Sequence, residues 1–150
     1  MNFNEMANKF LKTRPKDDSG ISAKVISFYQ SNILLLKNKD GTFELPGGHV
    51  KIKETLMDGA KREFEEETGL TVTRLRKITS KHNRVVYIGF LTSPRVRLSK
   101  EHIGFKFVPI NKLKKYNLSL KARGDLKRFL KYKKKDNDNI QEISSDTDGS

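Results

Sequence analysis

Residues 47–70 read GGHVKIKETLMDGAKREFEEETGL, and this stretch decides how the rest of the chain is interpreted. Between positions 54 and 67 it holds six acids and two bases, a local net charge of −4 in a chain whose formal net charge is +13. Proline does not occur from 55 to 68, and Leu56, Ala60 and Phe64 recur every four positions. This spacing places the three apolar side chains on one helix face, so the segment is predicted to be an amphipathic helix.

Both ends of this helix are marked by residues that cap helices. Thr55, with Asp58 three residues later, is a suitable N-cap that resembles a capping box. Gly69 stands where a helix commonly ends in a left-handed residue. We therefore predict a helix that begins after Thr55 and ends before Gly69.

Three glutamates are placed on this helix where a solvated acidic face does not explain them. Glu63, Glu66 and Glu67 are i, i+3 and i+4 neighbours, and at about 100° per residue Glu67 falls inside the apolar stripe. Like charges at this spacing repel, and a partly buried carboxylate is costly unless a cation pairs with it. Because the chain has no cysteine and only three histidines, hard oxygen ligands favour Mg²⁺, or Mn²⁺, over Zn²⁺. A solvated face would explain Glu65, but it leaves the glycine pair at 47–48 unexplained.

The same stretch resembles the Nudix box, G-x5-E-x7-R-E-U-x-E-E-x-G-U, at every fixed position. Gly48 is followed after five residues by Glu54, and after seven more by the run REFEEETGL at 62–70. The resemblance implies an α/β/α sandwich with a mixed sheet, the box helix on one side and a C-terminal helix on the other. It also implies metal-dependent hydrolysis of a nucleoside diphosphate linked to another moiety.

Carried over position by position, the resemblance assigns roles to the residues of the box. The implied metal ligands are Glu63, Glu66, Glu67 and the carbonyl of Gly47. Arg62 and Glu54 are implied to form the pair that orients these ligands. The resemblance thus predicts a site for one or more metal ions at the junction of the glycine pair and the helix.

Further candidates lie outside the fixed positions of the box. Gly48 lets the backbone approach a ligand closely, and His49 beside it is a candidate phosphate contact, although a loop histidine is often uninvolved. Tyr87 lies 17 positions beyond Leu70, where family members that cleave dinucleoside polyphosphates carry a tyrosine; a core aromatic is the alternative. Glu101, just before a predicted strand, is a candidate metal ligand or base, with a surface acid as the alternative. The proton acceptor is therefore predicted to be Glu63 or Glu101.

Apolar periodicity places the domain at residues 21–135. It predicts strands at 21–29, 33–37, 42–45, 71–79, 84–92 and 104–110, and a second helix from Ser119 to about Lys133. Residues 1–20 are an N-terminal extension in which Phe3, Met6, Phe10 and Leu11 favour a short helix, and no signal peptide is evident. Residues 136–150 carry five acids and no base, and are predicted to be a disordered acidic tail.

Composition and charge limit the classes of function that the chain can have. Lack of cysteine excludes disulfides and thiol chemistry, and no apolar run approaches a membrane span, so we expect a cytoplasmic protein without a membrane contact. Between Lys112 and Lys135 eleven bases stand against one acid. The expected substrate is a phosphorylated nucleotide: a nucleoside triphosphate, an oxidised nucleotide or a dinucleoside polyphosphate. The alternatives are a 5′-phosphorylated or capped RNA end on this basic segment, and a Nudix domain that only binds nucleotide or RNA.

Overall fold

The computed structural model describes residue 2 and residues 17–148, with side chains up to residue 136. Seven strands lie in this part of the chain: β1 Asp18–Tyr29, β2 Asn32–Lys37, β3 Phe43–Glu44, β4 Gly47–Lys51, β5 Val72–Lys81, β6 Arg84–Leu91 and β7 Gly104–Pro109. The helices are α1 Leu56–Thr68, a 3-10 helix Ile110–Lys115, and α2 Leu120–Asp148.

The seven strands form one mixed sheet centred on β1. β1 pairs in parallel with β6 and antiparallel with β2 and β4, while β5 pairs with β6 and both β3 and β7 pair with β2. Along its first half β1 therefore has β4 on one side and β6 on the other. This arrangement brings the glycine pair and Arg84 onto the two flanks of the same strand.

The hydrophobic core has two halves, one on each face of the sheet. Leu34 and Leu36 pack in the cluster that contains Ala60 and Phe64 of α1, whereas Ile33 and Leu35 pack in the cluster that contains residues of α2. The alternation explains why β2 is a continuous apolar run: both of its faces are buried. The predicted sandwich, with one helix on each side of a mixed sheet, is confirmed.

Helix α1 begins and ends where the sequence predicts. The Thr55 hydroxyl accepts a hydrogen bond from the Asp58 amide at 3.0 Å, and Gly69 adopts φ 69° while its N–H donates to the Glu65 carbonyl. Gly59 packs against β4, since a Cβ at this position would lie 2.8 Å from two methyl carbons of Val50. The helix is therefore held close to the strand that carries the glycine pair.

Two segments differ from the sequence-based expectations. Gly47 and Gly48, predicted as a loop, are the first residues of β4, because their backbone pairs with Lys24 and Ala23 of β1. The segment 136–148, predicted to be disordered, continues α2 as helix. No proline or glycine occurs from 125 to 148, and extending an existing helix avoids the cost of a new nucleus.

Two further expectations concern the ends of the chain and the membrane. The short helix expected from Phe3 to Leu11 lies outside the described residues. Among the helices that the structure describes, none combines the length and apolar character needed to span a bilayer.

Candidate active site

The buried carboxylate of Glu67 lies where the glycine pair meets α1. Its side chain leaves the apolar face of the helix, and the residue is 5% exposed. Its Oε2 accepts a hydrogen bond from the Gly47 amide at 3.1 Å, and the Gly47 carbonyl in turn accepts one from the Lys24 ammonium at 3.1 Å. Glu67, the Gly47 backbone and Lys24 thus form a connected polar chain at the end of the sheet.

Burial sets the protonation of Glu67. Desolvation raises the pKa of its carboxyl to about 7, although the positive charge of Lys24 and the Gly47 N–H both oppose the rise. Without a cation more strongly charged than Lys24, the Glu67 carboxyl is therefore partly neutral and partly charged near neutral pH. A divalent ion at the carboxylate would favour the charged form.

Arg62 joins the other carboxylates of the helix. Its guanidinium donates to both oxygens of Glu54, with the closest pair at 2.6 Å, and to Glu63 at 2.9 Å and Glu66 at 3.2 Å. It also donates to the His49 carbonyl at 3.1 Å, which ties α1 to β4. The hydrogen bonds from Arg62 hold the pKa of Glu54 at about 2, so this pair stays ionised.

A side chain at either glycine of the pair would collide with a neighbouring group. Gly47 has φ 137°, and a Cβ there would lie 2.1 Å from the Ala23 carbonyl oxygen. A Cβ on Gly48 would lie 2.4 Å from a carboxylate oxygen of Glu63. Side chains at these two positions would thus displace β1 or the Glu63 carboxylate.

A second group of ligand atoms converges on Glu67 from the loop before β7. One ligand atom each from Glu67, Glu101 and His102 lies within 4.8 Å of the others. Buried His102 holds Nε2 2.6 Å from Glu44 Oε1, and this hydrogen bond raises the pKa of His102. Its Nδ1 is buried without a hydrogen-bond partner within the described chain. Glu101 is exposed, and its carboxylate makes no hydrogen bond within the described chain.

The donor set fits a hard divalent cation. The oxygen donors are Glu63 and Glu67, the Gly47 carbonyl beside them, and Glu101, while Glu66 is half-exposed on the Arg62 side. Glu67 is buried without a full counter-charge, and a bound cation would supply that charge.

A cavity of about 850 Å³ opens above these carboxylates, between the sheet and the start of α2. Its acidic side carries Glu63, Glu67 and Glu101. Its basic residues are Lys24, Arg84, Lys121 and Arg123, and it also holds Asp40, which accepts from Thr42, and Glu44, which pairs with His102. The cavity is therefore polarised: carboxylates that can bind a cation line it beside Lys24 and the glycine pair, and the further cations Arg84, Lys121 and Arg123 line it from β6 and α2.

Two of the predicted substrate contacts are placed differently from the rest. Tyr87 is 4% exposed and packs in the core cluster on the α1 face, away from the cavity lining, so the structure gives it a packing role. Its position in a strand with two buried faces accounts for this. His49 lines the cavity, but its ring bonds Asp18 at 2.8 Å and remains half-exposed.

Sequence analysis missed several residues that line the cavity. Lys24, Glu44 and Arg84 lie on three different strands, and Lys121 and Arg123 lie on α2. Their spacing along the chain follows no motif, since only strand pairing brings them together. The one available signal was a charged residue in an apolar strand, which holds for Lys24 and for Arg84.

Comparison with known proteins shows similarity to one family over most of the chain. Residues 18–132 match the family described as the NUDIX domain. A relative named probable DHNTP pyrophosphohydrolase, from Lactococcus lactis subsp. cremoris, is 28% identical over 105 residues, which cover 69% of this chain and 61% of the relative. The chain thus spans less than two thirds of that relative's length.

Solved structures share the fold at low sequence identity. An ADP-ribose pyrophosphatase from Streptococcus suis superposes with a TM-score of 0.59 at 23% identity, over 68% of this chain and 81% of that one. A Chromobacterium violaceum protein described as a putative nudix hydrolase family member gives a TM-score of 0.63 at 21% identity, over 78% and 80% of the two chains. These similarities support the fold alone, and the substrate class has to be inferred from the residues of the site.

Proposed function

Since this chain belongs to the NUDIX family, we propose that it is a divalent-metal-dependent pyrophosphohydrolase that cleaves the diphosphate linkage of a nucleotide-type substrate. The observation that carries the proposal is the polarised cavity. Glu63 and Glu67 of α1 line it beside the glycine pair and Lys24, and three further cations, Arg84, Lys121 and Arg123, line it from β6 and α2. A diphosphate bridged to a metal ion has the charges that such a cavity complements.

The proposed metal ligands are Glu63, Glu66, Glu67 and the Gly47 carbonyl, with Glu101 beside them. A bound Mg²⁺ or Mn²⁺ would neutralise the diphosphate and lower the pKa of a water molecule. Lys24 donates to the Gly47 carbonyl and lies on the cavity wall, where it can donate instead to a phosphate oxygen. Arg62 keeps the carboxylates in place through its bonds to Glu54 and Glu63.

The reaction is hydrolysis by attack of water at phosphorus. The oxygen of the water forms a bond to phosphorus, the anhydride P–O bond breaks, and the leaving phosphate retains the electron pair. A carboxylate accepts the proton of the water. We assign this role to Glu101, because Glu63 already accepts from Arg62 at 2.9 Å whereas the Glu101 carboxylate makes no hydrogen bond within the described chain and lies beside Glu67.

Replacing the proposed base tests that assignment. Glu101→Gln should lower kcat about 10²- to 10⁴-fold, the usual contribution of a positioned base, while KM changes little. Steady-state kinetics with saturating Mg²⁺ give both constants. Glu65→Gln, the same substitution at an exposed position of α1, should keep parental kinetics. Parental kcat in a folded Glu101→Gln protein would move the base to Glu63.

A substrate panel tests the proposed activity itself. The full chain is assayed for phosphate and nucleotide release with Mg²⁺ and with EDTA. The panel contains nucleoside triphosphates, an oxidised guanine nucleotide, dinucleoside polyphosphates and ADP-ribose. We expect metal-dependent release from one of these classes. Metal-independent binding of nucleotide without turnover of any member would identify a binding domain and contradict the proposal.

A second candidate substrate is a 5′-phosphorylated RNA end. Lys121 and Arg123 at the start of α2 line the cavity, and the Lys112–Lys135 segment continues the positive charge away from it. Turnover of 5′-triphosphorylated RNA should then fall steeply with salt, because each phosphate contact releases counterions, while turnover of a mononucleotide should change little. Equal salt dependence for both substrates would exclude an RNA track on α2.

A further inference from the structure

A cavity-lining arginine is held in a fixed orientation by a completely buried carboxylate. Arg84 Nε lies 3.0 Å from each carboxylate oxygen of Asp125, and Arg84 Nη2 also donates to this carboxylate. The Asp125 side chain is 0% exposed, whereas that of Arg84 retains 17%. Arg84 Nη1 has no hydrogen-bond partner within the described chain, so one amino group of the oriented guanidinium is left for a ligand.

The ion pair also joins α2 to β6, but this role does not explain why an arginine faces the cavity. Arg128 approaches Asp125 at 3.7 Å and does not line the cavity. A buried ion pair contributes little to stability compared with apolar residues of similar size. The arginine that faces the cavity is the one held by two parallel hydrogen bonds, an arrangement that fixes its direction.

Strand register places Arg84 across the cavity from the carboxylates. Ser22 of β1 pairs with Arg84 on one side and with His49 on the other. Two strand spacings, roughly 10 Å, therefore separate the Arg84 backbone from β4, where Gly48 touches Glu63. The remaining cations of this wall, Lys121 and Arg123, come from α2. Anionic groups can thus be held at two places in the cavity, one beside the carboxylate-bound cation and one at Arg84.

We propose that Arg84, oriented by Asp125 and assisted by Lys121 and Arg123, forms an anion subsite. It binds a phosphate group of the substrate other than the phosphates at the carboxylates. Identifying its occupant as part of the substrate rests on the proposed function, whereas the binding of phosphate does not. The substrate class is therefore a nucleotide with an additional phosphate, either the terminal phosphate of a triphosphate or a phosphate on the 3′ oxygen of the ribose.

Binding of inorganic phosphate to the full chain in EDTA tests the subsite without catalysis. The side-chain Nε–H resonance of Arg84 can be assigned by its loss in Arg84→Lys. Titration with phosphate should shift this resonance in the parent protein with saturation, and the shift should persist in Arg128→Lys. Absence of a saturable shift at Arg84 would overturn the proposal.

Two lysine variants separate binding from a structural role. In Arg84→Lys the single ammonium can keep the pair with Asp125 but has no second nitrogen for an anion. We expect phosphate affinity to fall about 10-fold or more, the range for a lost hydrogen bond to a charged group. Arg128→Lys alters the same ion-pair cluster and should retain parental affinity, because Arg128 does not line the cavity. Equal losses in the two folded variants would show that the pair is only structural.

Positioning by Asp125 is tested separately. Asp125→Asn removes the charge that orients Arg84, so the phosphate affinity should fall as in Arg84→Lys. If Asp125→Asn does not fold, Asp125→Glu replaces it, and phosphate should then shift the Arg84 resonance less than in the parent. A parental shift and affinity in the folded variant would contradict the positioning role.

The source of the additional phosphate is found by comparing nucleotides. Affinities of adenosine 5′-triphosphate and adenosine 3′,5′-bisphosphate are measured for the parent and for Arg84→Lys. A loss confined to the bisphosphate identifies a ribose phosphate, and a loss confined to the triphosphate identifies its terminal phosphate. Unchanged affinity for both would contradict the subsite.

The proposed function and the subsite can fail independently. If phosphate shifts the Arg84 resonance of the parent protein but the protein hydrolyses no member of the panel, the subsite is supported and the proposed activity is contradicted. If the parent protein turns over substrate and Arg84→Lys has the same KM, the proposed activity is supported and the subsite is contradicted. If both hold, KM should rise about 10-fold in Arg84→Lys with little change in kcat, because the subsite is remote from the reacting bond.

Discussion

Glu67→Gln should reduce hydrolysis about a thousandfold or more and leave the fold intact. The substitution keeps the shape of the side chain, and the amide oxygen can still accept the hydrogen bond that Gly47 now donates to the carboxylate at 3.1 Å. It removes the negative charge that the proposed metal ion requires, and loss of a ligand should exceed the 10- to 100-fold effect typical of an outer contact. Single-turnover kinetics with saturating Mg²⁺ measure the loss, and circular dichroism checks the fold.

The same variant should change how stability depends on pH. The folded pKa of Glu67, about 7, lies above its ordinary value of 4.5. Without a metal ion, the neutral Glu67 carboxyl therefore contributes its full stabilisation to the fold below pH 4.5. As pH rises through 7 this contribution is lost, and the free energy of unfolding falls by on the order of 3 kcal/mol. In EDTA, this part of the pH dependence should disappear in Glu67→Gln. Mg²⁺ should stabilise the parent at pH 8 and not the variant.

Glu65→Gln is the matched control for Glu67→Gln. Both residues are glutamates of α1, but the Glu65 side chain is exposed on the opposite face of the helix. It should keep the activity, the pH dependence and the response to Mg²⁺ of the parent. Retained turnover in a folded, pure Glu67→Gln protein would refute the assignment of Glu67 to the metal site.

Arg62→Lys should lower kcat/KM about 10- to 100-fold while the positive charge is kept. The planar guanidinium bonds Glu54, Glu63, Glu66 and the His49 carbonyl together, and one ammonium cannot reach all four groups. The metal ligands would then lose their common support, so the apparent Mg²⁺ affinity should also fall. Kinetics over a range of Mg²⁺ concentrations separate a weaker metal site from a slower chemical step.

Stability gives a second measure of the Arg62 pair. Arg62 lowers the pKa of Glu54 from 4.5 to about 2, so the pair stabilises the fold above pH 4.5 and loses this effect as pH falls towards 2. In Arg62→Lys the acid limb of the stability profile should be shallower. Arg95→Lys, at an exposed loop arginine, is the control and should match the parent. A parental Mg²⁺ dependence in Arg62→Lys would show that Arg62 does not organise the ligands.

Local sequence determined the helix that carries the candidate metal ligands. The four-residue apolar period, the Thr55 cap and Gly69 each act within one or two helical turns, so α1 has the predicted bounds. The same period placed Glu67 in the apolar stripe, and its burial follows from that position. Every strand of the sheet except β4 was also recognised from runs of alternating or continuous apolar residues, because each such run buries one or both faces.

Tertiary structure alone decided which residues share the cavity. Lys24, Arg84 and Arg123 are far apart in the chain, and the pairing of β1 with β6 and the packing of α2 bring them to one wall. Strand pairing likewise made the glycine pair part of β4, and the two-sided burial of β6 put Tyr87 in the core. Asp125 shows the limit most clearly: beside Gly124 it resembles a surface acid, yet the fold buries it completely against Arg84. Helix periodicity and caps are short-range properties of the chain, whereas the partner of a buried charge is set by contacts between distant segments.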